Sequence, residues 1–145
     1  MNTEIKTSVP KWFWLVAILA LLWYLMDMYA FFMRTLMLQD MLKELPDGQQ
    51  GLYLSMPSWV NMVFAAEVFG GVLGSLCLLI KKRWALILYC ISIVGVLAQT
   101  CYVYFFSEAI KVMGTAAIVM PLVAISIGTC LIIFTRSAIS KTWVN

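Results

Sequence analysis

Four long apolar runs organise the chain. They extend from about Trp12 to Met33, Ser58 to Ile80, Trp84 to Phe106 and Met113 to Thr135. Each run is continuously apolar and does not alternate, so each predicts helix and not strand. At a rise of about 1.5 Å per residue, each is long enough to cross about 30 Å of hydrocarbon. The pattern predicts an all-α integral membrane four-helix bundle, with residues 1–145 forming one transmembrane domain.

The connections differ in length. KKR at Lys81–Arg83 is a tight hairpin between the second and third spans, and SEAIKV at 107–112 is another short link. The first connection is longer. In TLMLQDMLKEL, Leu38, Met41, Leu42 and Leu45 recur at helical spacing, with Gln39, Asp40, Lys43 and Glu44 between them. Residues 35–45 therefore predict an amphipathic segment outside the membrane, either continuing the first span or lying on the surface. The turn residues Pro46–Gly48 are expected to stop it.

Composition agrees with a bilayer environment. The chain has 145 residues, of which 63% are hydrophobic and 12% charged, with a mean hydropathy of +0.94. Soluble domains have about 45–50% apolar and about 25% charged residues. The first run is too long for a signal-peptide core and no small-x-small cleavage site follows it, so it is expected to be retained. Lys6, Lys11, Lys81, Lys82, Arg83, Arg136 and Lys141 fall on one side, and Arg34, Lys43 and Lys111 on the other. This bias predicts that both termini face the cytoplasm and argues against dual topology. Trp12, Trp14, Trp59 and Trp84 stand near span ends, as interfacial anchors do. No internal repeat of the kind found in larger transporters is visible.

Polar residues fall in one layer of the outer half. Asp27 lies about six residues from the outer end of its span, roughly 9 Å, and Glu67 about nine residues, roughly 13 Å. Gln99 and Pro121 lie at roughly 10 and 12 Å. Pro121 has no N–H, so the Ala117 carbonyl loses its usual helical partner. Glu67, Gly71 and Gly74 share a face, and Gly70 and Gly74 form a small-xxx-small pair that lets another helix approach. Ser92, Gly95, Gln99 and Tyr102 form a stripe on the third span. Gly114, Ala117, Pro121, Ala124 and Gly128 form one on the fourth, and Ala20, Tyr24, Asp27, Phe31 and Arg34 one on the first. The candidate intramembrane site is therefore Asp27, Glu67, Gln99, Arg34, Tyr24 and Tyr102. Gly70, Gly71, Gly74, Gly95 and Pro121 are the candidate helix-packing positions. A charged carboxylate near mid-bilayer costs on the order of 3 kcal/mol. Arg34, two turns above Asp27, is expected to pair with it. A neutral Glu67 hydrogen-bonded to Gln99 or a backbone carbonyl would serve as structural glue.

Little else carries chemistry. Cys77, Cys90, Cys101 and Cys130 lie singly in apolar segments without a CxxC pair and are expected to be inert packing residues. The chain has no histidine, which removes the usual ligand for haem, zinc and copper. Met26, Met28, Met33 and Met37 are expected to be adaptable packing. No metal, no cofactor and no nucleic-acid partner is expected.

Several segments carry a resemblance: LLWYLM (21–26), PSWV (57–60), VFGGVLGS (68–75), KKRWA (81–85) and SEAIKVMG (107–114). Together they resemble a family of small four-span bacterial inner-membrane proteins commonly labelled "sugar transporter". The similarity covers nearly the whole chain. It implies four helices, cytoplasmic termini and a multi-pass protein of the bacterial plasma membrane. The family pattern has Asn where Tyr24 stands, a small apolar residue where Glu67 stands, and an acid where Ala30 stands. It supplies no functional residue to carry over.

Two functions follow. The first is a small transporter or permeation unit, proton-linked through Glu67 and Asp27 and working as a homo-oligomer, since four helices enclose little volume. The second is a non-catalytic accessory or assembly protein that packs against a copy of itself or a larger membrane complex. An enzyme is not expected, because no nucleophile, metal or paired-cysteine constellation is visible. A hydrated cavity at the Asp27–Glu67–Gln99 layer would favour transport. A Glu67 hydrogen-bonded inside a closed bundle would favour the accessory role.

Overall fold

Each apolar run forms one long helix in a computed structural model that describes residues 8–144; Lys6 lies outside the described residues. In chain order the helices are α1 (Lys11–Leu36), α2 (Leu38–Glu44), α3 (Asp47–Leu54), α4 (Ser58–Leu79), α5 (Trp84–Phe105), α6 (Ala109–Met113) and α7 (Thr115–Ser140). There is no strand among the described residues. Helices α1, α4, α5 and α7 are the four that are long and apolar enough to cross a membrane. Four crossings place Lys11 and Ser140 at the same end of the bundle, called here the terminal end.

The short elements depart from expectation. Pro46–Gly48 ends α2 but also starts a further helix: Pro46 caps α3 and its carbonyl accepts the N–H groups of Gln49 and Gln50 at 3.0 and 3.1 Å. Asp47 in the first turn suits the positive end of that helix. The link 107–112 contains α6, and α7 runs to Ser140, five residues beyond the expected end at Thr135. In the amphipathic segment, α2 keeps Leu38, Met41 and Leu42 half-buried and exposes Gln39, Asp40, Lys43 and Glu44.

Two helix ends at the terminal face close without glycine. The Lys82 N–H donates to Cys77 O at 2.8 Å and the Lys81 N–H to Leu78 O at 3.1 Å. This is the Schellman pattern, with Lys81 in the left-handed position at φ 58°. At α7 the Trp143 N–H donates to Ala138 O at 2.9 Å and the Thr142 N–H to Ile139 O at 3.0 Å, with Thr142 at φ 60°. The second closure turns Trp143 back onto the bundle, where its ring meets Trp12 at 5.4 Å and Phe13 at 6.2 Å.

The spans pack as successive neighbours, α1 on α4, α4 on α5 and α5 on α7. Without a hydrophobic driving force between helices in lipid, close contact relies on small residues. A Cβ added at Gly70 would stand 3.1 Å from Leu88 O, and one at Gly95 would stand 3.0 Å from Glu67 Cβ, so these glycines set the α4–α5 spacing. Gly74 accommodates the Tyr89 ring, Gly71 the Tyr24 ring and Gly128 the end of Ile93. Pro121 lies within α7, which continues through it. Next to the carbonyl it orphans, Ile118 O accepts the Tyr104 hydroxyl of α5 at 3.0 Å.

Candidate polar site within the bundle

Glu67 lies on the α4 face that meets α5 and is 6% exposed. The side chain of Gln99, on α5, donates through Nε2 to the Glu67 carboxylate. Gly95 lies one turn from Gln99 and lets the two backbones approach at this point. The depth match between Glu67 and Gln99 is thus a direct contact. The backbone of Glu67 is held as well, because Ser92 Oγ donates to its carbonyl at 3.0 Å.

A second polar group adjoins it. Ser92 Oγ lies 3.4 Å from the hydroxyl of Tyr24, which is 3% exposed. The Tyr24 ring lies over Gly71 and stacks on Tyr89, with centroids 6.1 Å apart. Ser75 Oγ donates to Gly71 O at 2.9 Å and lies 2.9 Å from the Tyr89 hydroxyl. Serine has a single proton, so Tyr89 donates to Ser75 while Ser75 donates to Gly71. Tyr89 and Ser75 are fully buried, and the sequence reading did not include them in the site. Their only signal was a serine four residues after Gly71 on the glycine face. Among the described residues, every buried side-chain nitrogen and oxygen has a partner.

The remaining candidates are placed apart. Asp27, half-buried on α1, stands within electrostatic reach of Glu67, but no hydrogen bond or ion pair holds it among the described residues. Arg34 does not pair with Asp27. It turns to the start of α4, donating to Asn61 Oδ1 from Nε at 3.2 Å and Nη2 at 2.6 Å, and to Met56 Sδ at 3.0 Å. Its guanidinium also stands 4.8 Å from the Phe64 ring centre. The cause is geometric: α2 and α3 return the chain so that Met56 and Asn61 arrive beside Arg34, and a neutral amide accepts its hydrogen bonds there. Tyr102 is buried, but its ring packs edge-on against Trp59 at 5.6 Å and makes no hydrogen bond to Glu67 or Gln99. Pro121 contributes no polar group to the layer.

Arg34 thus fastens α1 to α4 at the end opposite the termini. Arg34→Gln is expected to lower stability by on the order of 1 kcal/mol, below the usual value for hydrogen bonds to a charged group because the bonds to Asn61 are solvent-exposed. Thermal unfolding in detergent checks this. Asn61→Ala should have a smaller effect, and the two should be non-additive because they share one interaction.

Two clefts open on the bundle. One of about 410 Å³ lies between α4 and α5, lined by residues such as Val63, Ala66, Ile91 and Val94. The other, of about 420 Å³, lies between α1 and α7. Both are apolar, and neither is lined by Asp27, Glu67, Gln99, Arg34, Tyr24 or Tyr102. No group of three metal-ligating side chains converges among the described residues.

The fold and the site define a multi-pass helical membrane protein with one internal polar layer. Compared with known proteins, the chain matches no family model, no curated protein and no solved structure.

Proposed function

We propose that the chain is a non-catalytic membrane accessory protein that acts by packing against a second copy of itself or a larger membrane complex. In this reading the polar layer holds its own helices together. One observation carries it: Glu67 is buried and already paired with Gln99, and it lines neither of the two clefts. A carboxyl group engaged in this way acts as interhelical glue. In the same reading both termini are cytoplasmic, because basic residues concentrate at the terminal end, and the membrane is the bacterial inner membrane that the resemblance implies.

Asp27 favours a second reading, a proton-linked permeation unit for a small solute. It is a half-buried intramembrane carboxylate beside Glu67 with no hydrogen-bond partner among the described residues, and such residues mark proton and ion paths. Reconstitution into vesicles enclosing a pH-sensitive dye separates the two. The accessory reading expects wild type and Glu67→Gln to show the same passive proton leak, with no solute-dependent component. Solute-driven proton movement that Glu67→Gln abolishes would establish the second reading.

A further inference from the structure

Helices α1 and α7 touch at the terminal end and part above it. There Phe13 stacks on Phe134 at 5.6 Å, Trp12 meets Phe134 at 5.5 Å and Trp143 at 5.4 Å. Directly above these rings lies the 420 Å³ cleft, with Val16, Leu19 and Trp23 on one wall and Ile127, Cys130 and Leu131 on the other.

Basic residues flank the cluster in the chain. Lys11 precedes Trp12, Arg136 follows Phe134 by two residues, and the Lys141 ammonium stands 4.8 Å from the Trp143 ring centre. Lys81 lies 5.4 Å from the ring of Trp14, which itself meets Phe13. Among the described residues, the terminal end carries Lys11, Lys81, Lys82, Arg83, Arg136 and Lys141 and no acid. The described acids outside the spans, Asp40, Glu44, Asp47 and Glu108, lie at the other end, where Lys43 and Lys111 pair with two of them. Among the described residues, the charge at the terminal end is therefore one-signed beside an apolar slot.

Dimensions match one leaflet. Cys130 is eleven residues from Lys141, and Trp23 twelve from Lys11. At the helical rise these are about 16 and 18 Å, roughly half of a 30 Å hydrocarbon core. A chain entering from the basic rim would therefore end in the cleft.

We propose that the α1–α7 cleft seats an acyl chain of an anionic phospholipid, whose headgroup is held at the terminal rim by Lys11, Arg136 and Lys141. Basic pockets between spans at a membrane face recognise such headgroups, and indole rings favour the same interfacial depth. The lipid fills the cleft between α1 and α7, and so joins the first span to the last. This inference is independent of whether the polar layer conducts.

Trp23 provides the test. The full chain is reconstituted in phosphatidylcholine vesicles with a small fraction of brominated phosphatidylglycerol or brominated phosphatidylcholine. The Trp23 signal is the difference between wild type and Trp23→Phe. Brominated phosphatidylglycerol should quench it with at least about a fivefold preference, the factor one basic surface contact supplies. Lys11→Gln/Arg136→Gln/Lys141→Gln should remove the preference, and Lys11→Gln alone, at an exposed first-turn position, should reduce it. Cys130→Phe, which fills the cleft, should reduce quenching by both lipids. Lys82→Gln/Arg83→Gln should leave the preference largely intact. Equal quenching by the two lipids, an undiminished preference in the triple variant, or an equal loss in Lys82→Gln/Arg83→Gln would overturn the proposal. So would cross-linking of two copies through Cys130, as the sole cysteine, in place of lipid-dependent quenching.

Discussion

Gly71→Ala should destabilise the bundle by about 1–3 kcal/mol, the usual cost of overpacking a well-filled interior. A methyl group at position 71 would overlap the Tyr24 ring. That ring cannot retreat, because Tyr89 stacks on it and Ser92 meets its hydroxyl. The strain therefore passes to the α1–α4 spacing. In a bilayer no gain in apolar burial offsets the clash, since lipid tails are as apolar as the helix surface they leave. Gly71→Leu should prevent accumulation of folded protein. Tyr24→Leu removes the ring that clashes, so Gly71→Ala/Tyr24→Leu should be closer in stability to Tyr24→Leu than Gly71→Ala is to wild type. Unfolding in mixed detergent micelles, followed by tryptophan fluorescence, measures each member of the cycle. Purely additive effects would show that the glycine is not there for the tyrosine.

The framework was legible because its signals are one-dimensional. Continuous apolar runs need only a count of residues against bilayer thickness, and α1, α4 and α5 begin and end within about three residues of expectation. The face shared by Glu67, Gly70, Gly71 and Gly74 follows from helical periodicity, and all four are buried. The approach of Gln99 to Glu67 followed from similar depth on adjacent helices, because the short Lys81–Arg83 hairpin makes α4 and α5 antiparallel neighbours.

What stayed hidden needs three dimensions. Depth along α1 put Arg34 near Asp27, but depth does not report which neighbour lies on the azimuth of a side chain. The path of α2 and α3, and hence the arrival of Asn61, depends on backbone angles around Pro46 that Pro-Asp-Gly spelling leaves open. The Tyr24–Tyr89 stack and the Ser75–Tyr89 bond tie the candidate Tyr24 to Tyr89 and Ser75, which read as ordinary helix-face positions. The left-handed Lys81 and Thr142 gave no signal, since glycine is the residue that usually marks such closures. The return of Trp143 onto Trp12 was hidden for the same reason.

The second large effect concerns Glu67. An acid that serves as glue makes a net contribution through its partner, whereas an acid retained for function is commonly held at the expense of stability. Glu67→Gln keeps hydrogen-bonding capacity toward Gln99 and should change stability far less than Glu67→Leu does. Glu67→Leu leaves the Gln99 amide without its acceptor and should cost on the order of 1–2 kcal/mol. Gln99→Leu should cost at least as much as Glu67→Leu, because it strands the more deeply buried group, the Glu67 carboxyl.

The most direct measurement is the unfolding free energy of Glu67→Leu in the wild-type and Gln99→Leu backgrounds. A Glu67–Gln99 bond that holds the helices together predicts destabilisation in the first, much less in the second, and a coupling energy of about 0.6–1.7 kcal/mol, from the average to the maximum measured for side-chain hydrogen bonds between membrane helices. A Glu67→Leu protein more stable than wild type, with no coupling to Gln99, would contradict it.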